Sequence, residues 1–483
     1  MPRRIAVIGA GASGLTAAKA ALECGLEPII FETAGEVSGL WRQSSGFVWP
    51  EMRTNVSRWT CSFSDFPWAD HEDDFPRADA VASYLRAYAE NFKIEQRIRT
   101  DSRVTFVGKS GRSWRVQIGD EAYAFDGVIV ASGVFSRPYV PTIAGIQDFT
   151  GKISHAARYR HPSPGGRRVA VVGASLSGIE IAAQLAERGT EVLLFFERAP
   201  WILPRYMPNG VGRRVPFDLM IYRRKEDGLV SVTTDRNERN RQAALFMKQT
   251  FGDPGDAHPA LSPSIDGAPN LAAVSDVFLP FVRAGGIQPI RERVVGLGTN
   301  YVRTSSGRRF EIDEIMFCTG YRSDLSFLDQ HTKTLIGYDP SDMLLPFLAN
   351  KTVAHPDVKG LYFVGLYKGP YFGVMELQAR WAAMMLSGDI PHKRRKRERE
   401  LLACENAIRL LQPRPQFPHS DYVQFADELA LEIGAKPYAE NADTDDLLRN
   451  APVTPHQYRL SGPFANRQVA IQGMRSAIER CSS

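Results

Sequence analysis

Two glycine-rich motifs carry the residue types and the spacing that most directly imply chemistry. In a motif of the form G-x-G-x-x-G, the first glycine makes a tight turn, the second lets the backbone approach a pyrophosphate, and the third lets a helix pack closely on a strand. The first motif comprises Gly9, Gly11, Ser13 and Gly14, and the second comprises Gly173, Ser175, Ser177 and Gly178. The sequence therefore predicts two dinucleotide sites.

The strand that follows each motif should end at a residue that binds the adenosine ribose. Glu32 lies about twenty residues after the first motif, where a carboxylate can accept hydrogen bonds from both ribose hydroxyls. After the second motif, Glu197 suits the 2′-hydroxyl of NADH, whereas Arg198 suits the 2′-phosphate of NADPH. Because further arginines follow at Arg205, Arg213 and Arg214, the charge of this region favours NADPH.

The elements that position these residues follow the pattern of strand, turn, helix and strand. The pattern occurs at Arg4–Glu32 and again at Arg168–Arg198, and a crossover helix of this length joins parallel strands. Short antiparallel strands are predicted at Val104–Val107, Trp114–Ile118 and Ala122–Phe125, and a buried parallel strand at Asp126–Ser132. We predict an α/β fold with two Rossmann-like dinucleotide-binding domains.

The second domain is predicted to be inserted into the first. Proline-rich sequence around Pro138, Pro141, Pro162 and Pro164 indicates a linker, and buried-strand patterns resume at Ile312–Cys318 and Gly360–Gly365, before a helix at Glu376–Leu386. We assign residues 1–163 to the first part of one domain and 164–318 to the other, with an irregular insertion at about 204–280. Residues 319–483 return to the first domain and add a helical C-terminal extension.

Composition excludes several other classes of protein. The 483 residues are 43% hydrophobic and 23% charged, and the net charge of +5 is too small for a nucleic-acid-binding domain. The basic run from His392 to Glu400 contains acidic residues and is interpreted as a solvated helix face. The five cysteines show no C-x-x-C spacing, which argues against a zinc site and favours a reducing compartment.

The chain is predicted to be cytoplasmic and to have no membrane partner. Strand-forming sequence begins at the first residues, which leaves no room for a signal peptide. No apolar stretch approaches the ~18 residues of a membrane span. For oligomeric state, only the general frequency of twofold assemblies favours a homodimer.

The sequence contains no hydrolytic triad, no H-E-x-x-H motif and no cluster of metal ligands, so the cofactors must carry the chemistry. Two dinucleotide folds in one chain fit a disulfide reductase, an NADH oxidase, a relative of the amine oxidases or a flavin monooxygenase. The spacing of the glycine motifs does not choose between them.

The segment from Phe149 to Tyr159 resembles the F-x-G-x-x-x-H-x-x-x-Y/F motif of the flavin-containing monooxygenases, with Gly151 and His155 at the other fixed positions. Further resemblance covers about residues 1–435. Departures from the family pattern are Ser38 and Ser175 in place of glycine and Cys318 in place of alanine. The segments that also resemble the family are Phe31-Glu32, Gly39–Arg42, Arg53–Ser57, Phe63–Pro67, Cys318–Tyr321 and Leu377–Trp381.

The resemblance implies an enzyme that uses FAD, NADPH and O2 to oxygenate a small molecule, with FAD bound by the first domain and NADPH by the second domain, which is inserted into the FAD domain. In this family NADPH reduces FAD, and a C4a-hydroperoxyflavin then transfers oxygen to a soft nucleophile, nitrogen or sulfur. Tyr159 stands where the Baeyer–Villiger relatives usually have tryptophan, which favours the heteroatom branch. The alternatives are Baeyer–Villiger oxygenation of a ketone, an NADPH oxidase or flavin reductase without oxygen transfer, and a flavoprotein that is not an enzyme.

The resemblance also assigns roles to individual residues. Asn55 matches the position whose amide contacts the flavin and its oxygen adduct, so it is the predicted catalytic residue. His155 is interpreted as a structural brace between the two domains. Beyond the two glycine motifs, the predicted cofactor-binding residues are Glu32, Leu40, Trp41, Thr54, Asn55, Val104, Arg198, Thr319 and Gln378.

Overall fold

The computed structural model describes residues 2–482 except 161–165, 211, 225–234, 370, 391–394 and 420. Parts of three predictions therefore lie outside the described residues: two of the linker prolines, the beginning of the basic run at His392, and two stretches of the insertion at 204–280. The remainder of the chain is organised around two parallel sheets with the same strand pattern.

The first sheet is built around the strand that precedes the first glycine motif. All of its neighbouring strands pair in parallel, as predicted for a doubly wound fold. In spatial order the described strands are β22 (Leu361–Phe363), β7 (Gly127–Val130), β1 (Arg4–Ile8), β2 (Glu27–Phe31) and β3 (Ile98–Arg99).

The second sheet repeats this arrangement around the strand that precedes the second glycine motif. Its pairings are again all parallel. In spatial order the described strands are β16 (Ile287–Ile290), β11 (Glu191–Phe195), β10 (Arg168–Val172), β20 (Glu314–Phe317) and β9 (Lys152–His155).

In sequence, every strand of the second sheet comes after β7 and before β22, which both belong to the first sheet. The strand β22 joins the first sheet beside β7 after the second sheet is complete. One expected boundary differs from the structure: β9 pairs with β20, so residues well before 164 belong to the second sheet. The strand β9 has only four residues, which is too short for its sequence to indicate which sheet it joins.

Smaller sheets and the helices surround the two parallel sheets, and the antiparallel strands predicted before residue 126 are confirmed. The antiparallel sheets are β4 (Val104–Ser110), β5 (Ser113–Ile118) and β6 (Glu121–Phe125), and β17 (Val294–Leu297), β18 (Tyr301–Thr304) and β19 (Arg309–Glu311). The strand pairs are β8 (Arg137–Pro138) with β21 (Tyr321–Arg322), β12 (Trp201–Leu203) with β15 (Ala272–Val274), and β13 (Tyr206–Pro208) with β14 (Arg214–Pro216). The described α-helices are α1 (Ala12–Glu23), α2 (Ala78–Asn91), α3 (Leu176–Glu187), α4 (Phe217–Ile221), α5 (Arg236–Phe251), α6 (Phe278–Arg283), α7 (Gln330–Leu335), α8 (Phe372–Ser387), α9 (Arg395–Arg409), α10 (Tyr422–Glu432), α11 (Ala442–Asn450) and α12 (Arg467–Ser482).

The insertion at 204–280 is less irregular than predicted. It contains the helices α4, α5 and the start of α6. Along α5 only Ala244 is buried, while Leu245 and Phe246 are about half exposed. Because this helix has no continuous apolar face, its sequence lacks the 3.6-residue periodicity by which helices are recognised.

A cluster of buried charges joins four distant parts of the first domain. Arg459, only 1% exposed, lies 2.9 Å from Glu376 of α8, 3.1 Å from Glu23 of α1 and 3.2 Å from Asp65. Lys19 of α1 also pairs with Glu23 and Asp65. Although burial alone would raise it, the positive charges of Arg459 and Lys19 hold the pKa of Glu376 below its usual value.

A buried histidine lies next to this cluster. His456 is 3% exposed, and neither of its ring nitrogens has a hydrogen-bond partner. Its ring packs against Gly473 of α12, where a β-carbon would lie 2.3 Å from the imidazole. Burial lowers the pKa of His456 from 6.5 to about 4, since the charged imidazolium loses its hydration.

We expect the free energy of unfolding to fall as the pH drops from 7 to 5, since the unfolded chain binds a proton at His456 and the folded chain does not. The stability that depends on neutral His456 is fully present above pH 6.5. About 2 kcal/mol of it is lost by pH 5. The variant His456→Leu should lose less stability over this interval in urea titrations. The exposed His71→Leu should behave as the unmodified protein; an unchanged pH dependence in His456→Leu would contradict the assignment.

Candidate active site

The first glycine motif forms a turn that tolerates no side chains at its outer glycines. Gly9 has a φ of +104°, in the region that favours glycine, and its amide donates to the carbonyl of Phe31 at 2.8 Å. A β-carbon on Gly14 would lie 1.8 Å from the Gly9 carbonyl oxygen. The helix α1 therefore begins directly against β1, with its free amide groups at the carboxyl edge of the sheet.

The central glycine of the motif faces a second backbone segment. Gly39 has a φ of +56°, and a β-carbon on it would lie 2.9 Å from the Cα atom of Gly11. Ser38 stands where the family usually has the first of two glycines, the second being Gly39 here, and it also takes a left-handed φ of +81°. It is held there by its amide, which donates to Ala10, and by its hydroxyl, which donates to Ala82. Leu40 and Trp41 follow in a short 3₁₀ helix, half-buried beside the turn.

The carboxylate of Glu32 lies at the end of β2, as predicted, and it organises the same turn. It accepts hydrogen bonds from the amides of Ala10 at 2.7 Å and Ala34 at 2.9 Å. The amide of Ser102 donates to the carbonyl of Glu32, which brings the start of β4 and Val104 close to the end of β2. The structure thus gathers Gly9, Gly11, Gly14, Glu32, Leu40, Trp41 and Val104 around one end of the first sheet.

The side chains of two predicted cofactor-binding residues of the first site contact other protein groups. The Ser13 hydroxyl donates to the sulfur of Met375 in α8, so it faces the core. Gln378 is fully buried, and its amide hydrogens donate to Lys351 and Thr352 while its oxygen accepts from the amide of Gly365. Ser13 thus links α1 to α8, and Gln378 links α8 to the segments at 351–352 and 365, while their contact with a cofactor stays a prediction.

The segment Thr54–Ser57 carries the predicted catalytic residue. Asn55 is half-buried, and within the described part of the chain its side-chain amide makes no hydrogen bond. The hydroxyl oxygen of Thr54 is buried without a hydrogen-bond partner, while the Thr54 amide donates to Pro76 at 3.0 Å. An orphaned buried hydroxyl beside an uncommitted amide leaves polar groups that a bound ligand could satisfy.

The second glycine motif repeats the geometry of the first. Gly173 has a φ of +107°, and a β-carbon on Gly178 would lie 1.8 Å from the Gly173 carbonyl oxygen. Ser175 is exposed at the amino end of α3, and Ser177 lies half-buried in its first turn. The Ser175 hydroxyl lies 3.3 Å from the side-chain nitrogen of Gln416, a contact from a segment far along the chain.

The arginines predicted to select NADPH do not cluster as expected. Arg205 pairs with Glu180 and Asp276, while Arg213 and Arg214 lie in the β13–β14 hairpin near the end of α12. These contacts correct the argument from loop charge, since the charge of Arg205 is already paired and Arg213 and Arg214 lie beside the C-terminal helix. The guanidinium of Arg198 donates to the carbonyls of Arg414 and Pro269.

One arginine that the sequence pattern did not indicate lies at this edge of the second sheet. Arg291 directly follows β16, the neighbour of β11, and its side chain lies 3.4 Å from the carbonyl of Glu197. Because parallel strands end at the same edge of a sheet, Arg291 and Arg198 flank the predicted ribose position together. The sequence feature that could have indicated Arg291 is its position directly after a strand that pairs with β11.

The residues of the F-x-G-x-x-x-H-x-x-x-Y segment brace the connection between the sheets. His155 accepts from the Ala157 amide at Nδ1, so its Nε2–H donates to the Gly320 carbonyl at 3.0 Å. Burial lowers the pKa of His155, which keeps the ring neutral. The Thr319 hydroxyl donates to Tyr139 next to the β8–β21 pair rather than to the glycine turns. These contacts agree with the structural role expected for His155.

Other kinds of site find little support in the described part of the chain. There, no group of three His, Cys, Asp or Glu side chains is arranged to hold a metal ion. No helix in the described ranges is long and apolar enough to cross a membrane. Burial raises the pKa of both Cys61 and Cys318 to about 12, so neither thiol is poised as a thiolate for disulfide chemistry.

Two parallel sheets, each with a glycine turn of this geometry, define an oxidoreductase that holds two dinucleotides. A sequence profile of the family described as flavin-binding monooxygenase-like matches residues 2–480. The chain belongs to this family of flavoprotein monooxygenases, whose members use FAD and NADP(H).

Individual relatives extend over nearly the whole chain. A dimethylaniline monooxygenase (N-oxide-forming) 2 of Cavia porcellus is 28% identical over 98% of this chain and 92% of its own length. The fold resembles an S-allyl-L-cysteine S-oxygenase from Allium sativum, with a TM-score of 0.63, 21% identity and 99% of both chains covered. It also resembles a cyclohexanone monooxygenase from Rhodococcus sp. Phi1 bound to NADP+, with a TM-score of 0.64, 16% identity, and 90% and 98% of the chains covered.

We expect the substitution Gly39→Ala to weaken FAD binding, since the new methyl group would displace the 38–41 segment from Gly11. The dissociation constant, measured by flavin fluorescence during reconstitution of the apoprotein, should rise roughly tenfold, equivalent to about 1.4 kcal/mol. The control is Gly25→Ala, at a position with a similar φ of +69° and nothing within 4 Å. Equal affinities in the two variants would show that the close approach does not shape the site.

Proposed function

We propose that this chain is an NADPH- and FAD-dependent monooxygenase that oxygenates nitrogen or sulfur in a small soft nucleophile. The observation that carries the proposal is the Asn55 amide, uncommitted and half-buried next to the orphaned Thr54 hydroxyl. The names of the N-oxide-forming relative and of the S-oxygenase with the same fold support this choice of substrate atom.

FAD, once reduced by NADPH, supplies the activation of O2, and the protein controls what surrounds it. The Asn55 amide can donate hydrogen bonds without carrying a charge or a proton that titrates, which suits contact with bound oxygen. A carboxylate at the same place would repel an anionic oxygen group. A preorganised neutral donor of this kind typically contributes ~3–4 kcal/mol to the step in which it acts.

The aromatic residues around Tyr321 support the exclusion of water from the junction between the two sheets. The Tyr321 ring contacts Phe47 and Phe135 at centroid distances of 5.5 Å each, and His155 at 5.1 Å. Burial raises the pKa of Tyr321, so the phenol stays protonated. This cluster offers neutral walls, and its raised pKa makes the Tyr321 phenol a poor proton donor to bound oxygen, whose protonation would release hydrogen peroxide.

We further propose that Arg198 and Arg291 together bind the 2′-phosphate of NADPH. Arg198 donates to two backbone carbonyls and Arg291 is exposed 3.4 Å from the Glu197 carbonyl, so both guanidinium groups are fixed near the end of β11. A phosphate between two guanidinium groups gains charge-assisted hydrogen bonds that NADH cannot make.

The proposed enzyme acts in the cytoplasm on a small molecule and O2, and we propose a homodimer as its form. The compartment is supported by the five free cysteines, of which Cys61 and Cys318 are buried in apolar surroundings. The dimer rests on the general frequency of twofold assemblies.

The variant Asn55→Asp should retain FAD and oxidise NADPH while its product yield falls and hydrogen peroxide replaces the product. We expect the product-forming step to slow roughly 100-fold or more, since a donor becomes an acceptor. Product, hydrogen peroxide and NADPH would be measured together with a tertiary amine and a thioether as substrates. Asn91→Asp, exposed at the end of α2, is the matched control. Unchanged product yield in Asn55→Asp would remove the role of this residue.

Loss of either proposed phosphate ligand should impair the use of NADPH more than that of NADH. For Arg291→Ala and for Arg198→Ala we expect the KM for NADPH to rise roughly 10- to 100-fold, the range for a lost hydrogen bond to a charged group. The control is Arg293→Ala, an exposed arginine two residues away. Equal changes for both nucleotides in steady-state assays would assign the preference to other residues.

A further inference from the structure

The segment that carries Asn55 is held from behind by a buried carboxylate of the insertion. Asp218 of α4 is fully buried, and its Oδ2 atom accepts three hydrogen bonds. The Ser57 amide donates at 3.0 Å, the Ser57 hydroxyl at 2.7 Å and the Thr60 hydroxyl at 2.7 Å. Ser57 is two residues from Asn55, so one oxygen atom fixes the end of this short loop.

The other end of the loop is fixed separately. The Thr54 amide donates to the carbonyl of Pro76, and Arg53 donates to Phe75 at 2.9 Å. Asn55 therefore lies between two anchors, one within the first domain and one from the insertion. The anchor from the insertion is a single side-chain oxygen of Asp218, so removing it leaves the backbone of that anchor unchanged.

The helix that presents Asp218 is itself tied to the C-terminal part of the chain. Leu219 packs in a buried cluster with Trp59 and Ala477 of α12. The carbonyl of Tyr222 accepts from the Val453 amide at 2.7 Å, and the Tyr222 hydroxyl lies 2.9 Å from that of Tyr371. A helix as short as α4 is thus held by tertiary contacts, and its carboxylate has one fixed position relative to the loop.

The chemistry of the carboxylate suits positioning rather than proton transfer. Its other oxygen, Oδ1, is buried without a hydrogen-bond partner, and all three donors belong to Ser57 and Thr60. A buried acceptor with this many donors orders the segment that supplies them, because breaking the contacts leaves polar groups unpaired.

We propose that Asp218 is a positioning residue that holds the 54–57 loop, and with it the Asn55 amide, against the bound flavin. The inference rests on the proposed function, since it assigns Asp218 to the same oxygen-binding amide. It also gives the insertion a role in the reaction: a residue from the part of the chain beyond the second glycine motif sets the geometry of a residue in the first domain.

The test compares the holoenzyme forms of Asp218→Ala, Asp218→Asn and Asp427→Ala. Asp427 is a matched control because it is a largely buried carboxylate that also accepts several hydrogen bonds, from Arg224 and from the Tyr458 hydroxyl, away from the 54–57 loop. Asp218→Asn keeps an acceptor oxygen for the three donors and replaces the unpartnered oxygen with an amide nitrogen.

Two readouts are needed: amide hydrogen exchange at Ser57, and the fraction of consumed NADPH that ends as hydrogen peroxide with an amine or thioether substrate present. For Asp218→Ala we expect exchange at Ser57 to accelerate roughly tenfold or more, because its acceptor is removed, and the hydrogen peroxide fraction to rise several-fold. Asp218→Asn should remain close to the unmodified enzyme in both readouts. Asp427→Ala should lower the melting temperature without changing either.

Several results would overturn the inference. One is faster exchange at Ser57 with an unchanged hydrogen peroxide fraction, and another is an equal rise of that fraction in Asp427→Ala. If Asp218→Ala does not fold, Thr60→Val removes one of the three hydrogen bonds with little change in volume and should shift both readouts in the same direction by less; no shift in either overturns the inference. If the unmodified enzyme forms no oxygenated product, the proposed function fails, and the exchange readout alone then decides whether Asp218 holds the loop.

Discussion

The buried charge cluster around Arg459 is the constraint on which the arrangement of the first domain depends. Removing one member of a buried ion cluster typically costs about 3–5 kcal/mol, because its partners are left uncompensated in a medium of low polarity. Here the charged groups come from four separate parts of the chain. They are Lys19 and Glu23 of α1, Asp65, Glu376 of α8, and Arg459 near the C-terminus. The distant C-terminal segment therefore stabilises the position of α1, the helix that follows the first dinucleotide turn.

The two dinucleotide turns were predictable because each is defined within about thirty residues of sequence. The absence of a side chain at Gly14 and Gly178 has one structural reason, contact with the carbonyl of the first glycine, and that reason is the same in both sheets. The position of Glu32 at the end of β2 followed from the same local pattern. Parallel pairing then followed from the length of the crossover helix.

The parts that sequence could not predict depend on contacts between segments that are far apart in the chain. Arg205 pairs with Glu180 of α3, and Arg291 reaches the end of β11 from a strand more than a hundred residues after the motif. Ser13 and Gln378 fit their motifs, yet tertiary packing turns both toward protein partners. The helix α5 escaped prediction because it has no apolar face, and periodicity detects only helices that bury one.

The Asn55 amide is uncharged, and this explains why it must be held in a fixed orientation. An uncharged donor attracts a bound oxygen group only along the direction of its N–H bonds, so its effect depends on orientation far more than that of a lysine or arginine would. A cation would act over a wider range of positions, but it would also stabilise the anion as a leaving group. The structure meets the requirement for orientation with a backbone contact at Thr54 and a carboxylate at Ser57, both outside the space that the amide faces. A neutral catalytic amide with a rigid support behind it places no titrating group in the reacting space.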